Sequence, residues 1–281
     1  MKLGVMGLSS GAMISAEATR RLAPLAESLG YDSWWNGEHV VLPMPQAPPS
    51  PAPPETPILD PLVNLAYVAA LTDTIALATG IIILPQRNPV VLAKEIASLD
   101  VMSGGRFWLG IGVGYLEPEF RAIGAPFEDR GARTDDYLAA MQALWTRSAP
   151  VSYQGEFVQF SGIDANPRPL QSGGPLVVIG GRTPPAFRRA VTKGHHWYGF
   201  FRTPEQTALD LAGLREAADR VERPAHLGRL EISVTPAGRL TPEMVEAYSD
   251  LGVDRIVTMP GAATVSATEA RMAADATLAL P

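Results

Sequence analysis

The feature that most constrains this chain is a rhythm of short apolar runs separated by amphipathic stretches, several of which open on a capping residue followed by proline. Asp60-Pro61, Asn88-Pro89, Thr183-Pro184, Thr203-Pro204 and Thr241-Pro242 all have this form. The side-chain oxygen accepts an orphan N–H of the first helical turn, and proline, which has no N–H to leave unpaired, suits the first helical position. Each pair therefore predicts a helix start, and Thr203 with Gln206 predicts a capping box. A further helix follows Ser15, with Ala18, Leu22, Leu25, Ala26 and Leu29 on one face and Gly30 as its stop. Another spans Arg130 to Arg147, and an Ala-rich one closes the chain. Between them, 2–7, 31–36, 75–84, 107–113, 175–181, 196–200, 229–234 and 254–259 read as strands. Eight strands alternating with eight helices in 281 residues predict a (β/α)8 barrel, the TIM-barrel fold, as one domain over 1–281. A doubly wound sheet would carry a glycine-rich first turn, which is absent here.

The stretch "GGRFWLGIGVGY" tests that reading. A dinucleotide fingerprint needs a third glycine three places after the second. Those places are Tyr115, counting from Gly110 and Gly112, and Glu117, counting from Gly112 and Gly114. The fingerprint fails, and a strand with glycine on alternate positions remains. Its bare face admits either a ligand close to the backbone or large neighbours in a barrel core.

Composition removes whole classes of function. There is no cysteine, so no disulfide, thiol nucleophile or thiolate metal site. A net charge of −6 argues against nucleic-acid and anionic-membrane partners. No apolar run approaches the roughly 20 residues of a membrane span, and the opening "MKLGVMGLSSG" is too short and punctuated for a signal peptide. A cytoplasmic protein is the expectation. The proline-rich piece at 41–57 reads as a long loop, either a pocket wall or mobile surface. The polar excursion at 148–174 reads as an irregular insertion that helps to shape the pocket.

A barrel puts its ligand at the C-terminal ends of the strands, where helix N-termini gather and favour anions. Two groups of residues fall there. Glu38-His39 follows the second strand, and His39 is either a general acid or base or an anchor for the proline-rich loop. "VIGGRTPP" brings Gly180, Gly181, Arg182 and Thr183 to a helix start, as a phosphate cradle or a plain tight turn. His195 and His196 are adjacent, point opposite ways along a strand and cannot share a metal. His226 stands alone, and no metal site is expected.

The segments "AESLGYDSWWNGEHVV", "LATGIIILPQRNPVVLAKEIASLDVMSGGRFWLGIGVGYLEPEF", "VVIGGRTPPAFRRA" and "LGVDRIVTMP" resemble the luciferase-like monooxygenase family. Within it they are most similar to the actinobacterial branch that uses the deazaflavin coenzyme F-420. The resemblance implies that Gly112, Val113 and Gly114 let the deazaflavin lie against backbone. It implies a cis peptide at Gly80–Ile81 behind the ring, and a phosphate held at Gly180–Thr183. Glu38 would sit beside the coenzyme, with His39 handling the substrate's proton. Where related sugar-phosphate dehydrogenases carry a catalytic glutamate after the glycine strand, this chain has Tyr115, which argues against sugar-phosphate oxidation. It also has Gly194-His195-His196-Trp197 for the usual Gly-Asp-Gly-Trp, implying an altered wall near the coenzyme tail. The first expectation is an F-420-dependent oxidoreductase acting on a small uncharged substrate, as a homodimer. The alternatives are an FMN-dependent monooxygenase fed with reduced FMN by a separate reductase, and a coenzyme-binding protein without turnover.

Overall fold

The computed structural model describes residues 1–279. Eight parallel strands close into a ring in the order β1 (Lys2–Met6), β2 (Ser33–Asn36), β3 (Ala76–Thr79), β5 (Phe107–Gly112), β8 (Leu176–Gly180), β9 (His196–Arg202), β10 (Glu231–Pro236) and β11 (Arg255–Thr258), which returns to β1. A two-residue strand, β4 (Ile82–Ile83), continues β3 beyond the Gly80–Ile81 peptide, which is cis, and pairs with β5. The (β/α)8 expectation holds. Eight helices cover the ring: α1 (Ala16–Ser28), α2 (Pro61–Ala69), α3 (Pro89–Met102), α5 (Arg130–Thr146), α6 (Pro184–Lys193), α7 (Pro204–Arg220), α8 (Pro242–Asp250) and α9 (Val265–Ala279). None of the described helices is long and apolar enough to cross a membrane.

The caps behave as local chemistry demands at four of the five proline starts. Asp60, Asn88, Thr203 and Thr241 accept first-turn N–H groups, and Thr203 completes its capping box with Gln206. Thr183 does not: its hydroxyl makes no capping bond, although the helix begins where expected.

Strand pleating sorts the core into two layers. Trp34, Leu77, Phe107, Leu109, Ile111, Val177, Ile179 and Trp197 point outward into the main core beneath the helices. Met6, Trp35, Ala78, Val178, Tyr198 and Val257 point inward and fill the barrel's axis, with Ile81 and Trp108 packed against them. Below this layer lies a polar plug. Arg255 is buried, with its guanidinium over Trp108 at 4.6 Å, and it donates to Asp32 at 2.7 Å and to Ser233 at 3.0 Å.

Two expectations need correction. The 148–174 excursion is not irregular: it contains an antiparallel hairpin, β6 (Val151–Gln154) with β7 (Gln159–Ile163). It connects a helix end to a strand start, so it leaves from the N-terminal face, opposite the mouth. Its tip lies along α5, where Asp136 accepts from the backbone N–H of Phe157 at 2.7 Å and from the Tyr153 hydroxyl at 2.5 Å. From that face the excursion runs back along the helix, so that its tip reaches the mouth-side half of α5, where Arg133 lies over the Phe157 ring at 4.3 Å. His195 and His196 are also at the N-terminal face. His196 is the first residue of β9 and meets Trp108 edge-on at 4.9 Å, while His195 Nδ1 accepts from Val177 N–H at 2.9 Å. They belong to the barrel's base, because the strand runs from them towards the mouth.

The sequence reading also overlooked the short helix α4 (Glu117–Ala122), which sits between β5 and α5. The 41–57 loop joins β2 to α2 on the mouth side. It is tied back where Gly11 N–H donates to Pro57 at 3.0 Å and Leu59 N–H to Ser9 at 2.9 Å.

Candidate active site

His39 lies three residues past the end of β2, at the rim of the mouth and mostly covered. The residue that holds it is Glu119 of α4, which is fully buried. One Glu119 oxygen accepts the Val40 N–H at 2.5 Å and the other lies 3.2 Å from His39 Nδ1. A carboxylate can only accept, so this contact places the imidazole proton on Nδ1 and leaves Nε2 with its lone pair free. Nε2 stands 3.5 Å from the Tyr115 hydroxyl, and the two rings meet edge-on at 6.0 Å. Burial, and then the Glu119 charge, push the Tyr115 phenol up, so it stays a neutral donor. The sequence offered one signal for Glu119, a carboxylate just inside a helix that follows the glycine strand, but its burial is a tertiary fact.

Glu38 is turned away from the mouth. Its carboxylate pairs with Arg87, at 2.8 Å to Nε, and accepts the Ile83 N–H at 2.7 Å. Arg87 also reaches the α2 cap Asp60 at 2.6 Å. Burial pushes the Glu38 carboxyl up against the opposing pull of Arg87. Both oxygens are engaged inside the protein, so Glu38 acts on the mouth through the backbone it fixes at Ile83.

The glycine strand is filled by the protein itself. A Cβ on Gly110 would lie 1.7 Å from the Thr79 carbonyl oxygen, and one on Gly112 would lie 2.5 Å from Ile81 Cδ1. A Cβ on Gly114, which has φ +77°, would lie 2.6 Å from Ile83 and 2.7 Å from Phe120, and the Gly114 carbonyl accepts from Arg130 at 3.2 Å. A Cβ on Gly180 would lie 3.1 Å from Ile81 Cγ2. At Gly110 and Gly112 the bare face of the strand accommodates Thr79 and Ile81. The consequence is a shaped floor. Ile81 is seated between Gly112 and Gly180, and a Cβ on Gly80 would lie 3.1 Å from the Trp35 ring. Trp35 is stacked on Tyr198 at 4.9 Å. Half-buried Val113 continues that wall towards Tyr115.

The β8–α6 turn is different because little inside the protein uses it. Gly181 has φ +114°, and its carbonyl accepts from Trp197 Nε1 at 2.9 Å. Among the described residues, the N–H groups of Gly181, Arg182 and Thr183 donate to nothing, the Thr183 hydroxyl caps nothing, and Arg182 has no ion-pair partner. All three residues are exposed. Three free N–H groups, a hydroxyl, a guanidinium and the N-terminus of a ten-residue helix suit the phosphate of a flavin-like coenzyme.

Comparison with known proteins places this geometry. The chain is 30% identical over 270 residues to an uncharacterized protein of Mycobacterium tuberculosis, covering 92% of this chain and 91% of that one. It is 30% identical over 175 residues, 62% of this chain and 45% of the other, to the oxygenase component of the flavin-dependent trigonelline monooxygenase of Acinetobacter baylyi. Its fold matches an F-420-dependent secondary alcohol dehydrogenase, solved with an F-420–acetone adduct, at TM-score 0.78 and 16% identity, covering 100% of this chain and 99% of that one. The family model for luciferase-like monooxygenases matches residues 1–276. The chain is an enzyme that belongs to the luciferase-like monooxygenase family, whose members include both deazaflavin- and flavin-dependent oxidoreductases.

Proposed function

We propose that this enzyme is an F-420-dependent oxidoreductase acting on a small uncharged alcohol or carbonyl compound. The observation that carries the reading is the His39–Glu119 pair, which presents a proton-accepting Nε2 at the barrel mouth. When bound, a deazaflavin would supply the hydride chemistry of the reaction. Ile81, held between Gly112 and Gly180, offers the flat apolar seat for its ring. The Gly181–Thr183 N–H groups, the Thr183 hydroxyl and Arg182 would hold its phosphate. His39 Nε2 takes the alcohol's O–H proton in oxidation and, as imidazolium, returns it to the carbonyl oxygen in reduction. Tyr115 donates to the same oxygen and orients it. Glu119 keeps Nδ1 protonated and stabilises the imidazolium. The full-length match to the alcohol dehydrogenase fold supports this assignment.

A second reading is a reduced-FMN monooxygenase served by a separate reductase, favoured by the trigonelline relative. Titration of the purified protein with F-420 and with FMN, followed by fluorescence, separates the two. F-420 binding at least about tenfold tighter than FMN, reduced about tenfold by Arg182→Ala, is the expected result. FMN preference moves the enzyme to the second reading. Binding of neither removes both and leaves the protein without a coenzyme role.

A further inference from the structure

β9 carries a bulge near its mouth-side end. Val234 of β10 pairs with Gly199, and Pro236 pairs with Arg202, so β9 spends three steps where β10 spends two. The extra length falls on Phe200 and Phe201. Phe201 has φ +55°, the one non-glycine residue with positive φ among those described. Side chains rarely adopt that conformation, and bulges of this kind re-aim side chains beside active sites. Neighbouring strand residues normally point to opposite faces. Here the bulge brings the two rings together at 5.5 Å, both about half exposed, at 47% and 53%.

The chain is pinned on either side of the bulge. Tyr198 is stacked on Trp35, and its hydroxyl lies 2.6 Å from Thr235 Oγ1. Arg202 is buried and donates to Asp210 at 2.8 Å, and its carbonyl accepts the Tyr248 hydroxyl at 2.5 Å. The aromatic pair is thus held out by the fold rather than left over at a loose end.

Its place in the ring shows what it faces. Around the closed barrel β9 is four strands from β2, so Phe200 and Phe201 stand across the mouth from His39. β5 and β11 are also four apart, which sets Tyr115 opposite Met259; both are exposed by more than two fifths. Near the histidine and the bulge Glu38 is matched by Arg87 and Arg202 by Asp210, while Glu119 faces the neutral imidazole of His39. Among the described residues Arg182, one strand over, has no ion-pair partner and belongs to the phosphate turn of the proposed function. Arg130, also without one, is spent on the Gly114 and Phe127 carbonyls and lies over the Phe127 ring at 3.8 Å.

Resting on that function, we infer that the substrate is a neutral, planar, apolar molecule, an aromatic ring system gripped by Phe200 and Phe201 while its polar end meets His39 and Tyr115. Two aromatic faces, with exposed Met259 to one side, reward a flat apolar body. The Glu119 charge, acting on both His39 and Tyr115, disfavours an anionic polar end between them.

The test uses the intact protein and three probes by calorimetric titration: naphthol, naphthoate and the saturated analogue decalol. Naphthol is expected to bind about tenfold or more tightly than either of the others. Phe200→Ala and Phe201→Ala should each weaken it about 5- to 20-fold, and Phe201→Tyr should restore it. Coenzyme affinity is expected to stay within about twofold. Both rings are exposed, so the variants are expected to keep the wild-type fold, checked by circular dichroism. Naphthoate binding as tightly as naphthol, or naphthol binding indifferent to both Ala variants, overturns the inference. So does naphthol binding that vanishes as the protein self-associates, since the rings would then be an interface with a second copy. Failure to bind any coenzyme would overturn the proposed function instead, and is read in a separate titration.

Discussion

Replacing Glu119 by glutamine tests the chemistry of the site with little change in shape. Glu119 is fully buried, and its two oxygens serve different partners, Val40 N–H at 2.5 Å and His39 Nδ1 at 3.2 Å. Glutamine offers one acceptor and one donor. The Val40 N–H cannot become an acceptor, so the amide oxygen must keep that contact and the NH2 must turn to His39. Two donors cannot share a hydrogen bond, and the imidazole relieves the conflict by moving its proton from Nδ1 to Nε2. A charge-assisted bond of about 1.5–3 kcal/mol becomes a neutral one of about 0.5–1.5 kcal/mol, so the fold loses roughly 1 kcal/mol. That corresponds to a fall of about 2–4 °C in Tm. The functional loss is far larger, because an Nε2 that carries a proton cannot accept one. General-base assistance is worth about 100- to 10,000-fold, and kcat for oxidation should fall at least about 100-fold with coenzyme affinity unchanged. Nitrogen-15 shifts of the His39 ring report the tautomer without any coenzyme, and single-turnover kinetics report the proton transfer. A variant that keeps the Nδ1-protonated tautomer, or that flips it with no loss of rate, would refute the reasoning. Glu119→Ala leaves the Val40 N–H and the imidazole unpaired beside a void and should cost about 2–4 kcal/mol.

Three further outcomes follow from the same geometry. Gly110→Ala sets a Cβ 1.7 Å from a backbone oxygen in the adjoining strand, and should destabilise by more than about 3 kcal/mol in urea unfolding. Gly112→Ala meets only the movable end of Ile81, at 2.5 Å, and should cost about 1–2 kcal/mol while weakening coenzyme binding more than stability. His196 is buried beside Arg255, and both depress its pKa to about 3, against 6.5 when free. The folded state therefore binds fewer protons than the unfolded chain between those values: the stabilising contribution is complete above pH 6.5 and is lost as pH falls towards 3. The slope approaches 1.4 kcal/mol per pH unit for one proton. His196→Gln should flatten the pH dependence of Tm between about pH 6 and pH 4.5, above the range where Glu27, held down to about 2 by the Thr74 hydroxyl and the 73–75 N–H groups against its burial, begins to titrate; an unchanged slope would remove the buried base from the account.

Much of this protein was determined locally and could be read from its sequence. Strand order, helix starts and the closing count of eight depend on patterns that repeat over a few residues, namely apolar runs, a capping oxygen and a proline. Elements without such a signal were missed. The β6–β7 hairpin is largely polar and exposed, and α4 is a single short helix with no room for periodicity. Thr183 looked like the other caps, yet its hydroxyl is unused, because capping depends on a rotamer that the sequence does not fix. The resemblance set the two histidines near the coenzyme tail, whereas His196 opens β9 and so lies at the barrel's base.

The site divides along the same line. His39 and the 180–183 turn could be found in the sequence because function in a barrel gathers where strands end and helices begin. Tertiary structure alone decided what surrounds them. Closure of the ring brought Glu119 from 80 residues away onto His39, turned Glu38 into a buried anchor for Arg87, and filled the glycine strand with Thr79 and Ile81. It also set the Phe200–Phe201 bulge across from the histidine. Sequence determines which backbone each residue prefers over a span of a few neighbours; which atoms meet across the axis depends on every strand's register at once, and exists only when the barrel closes.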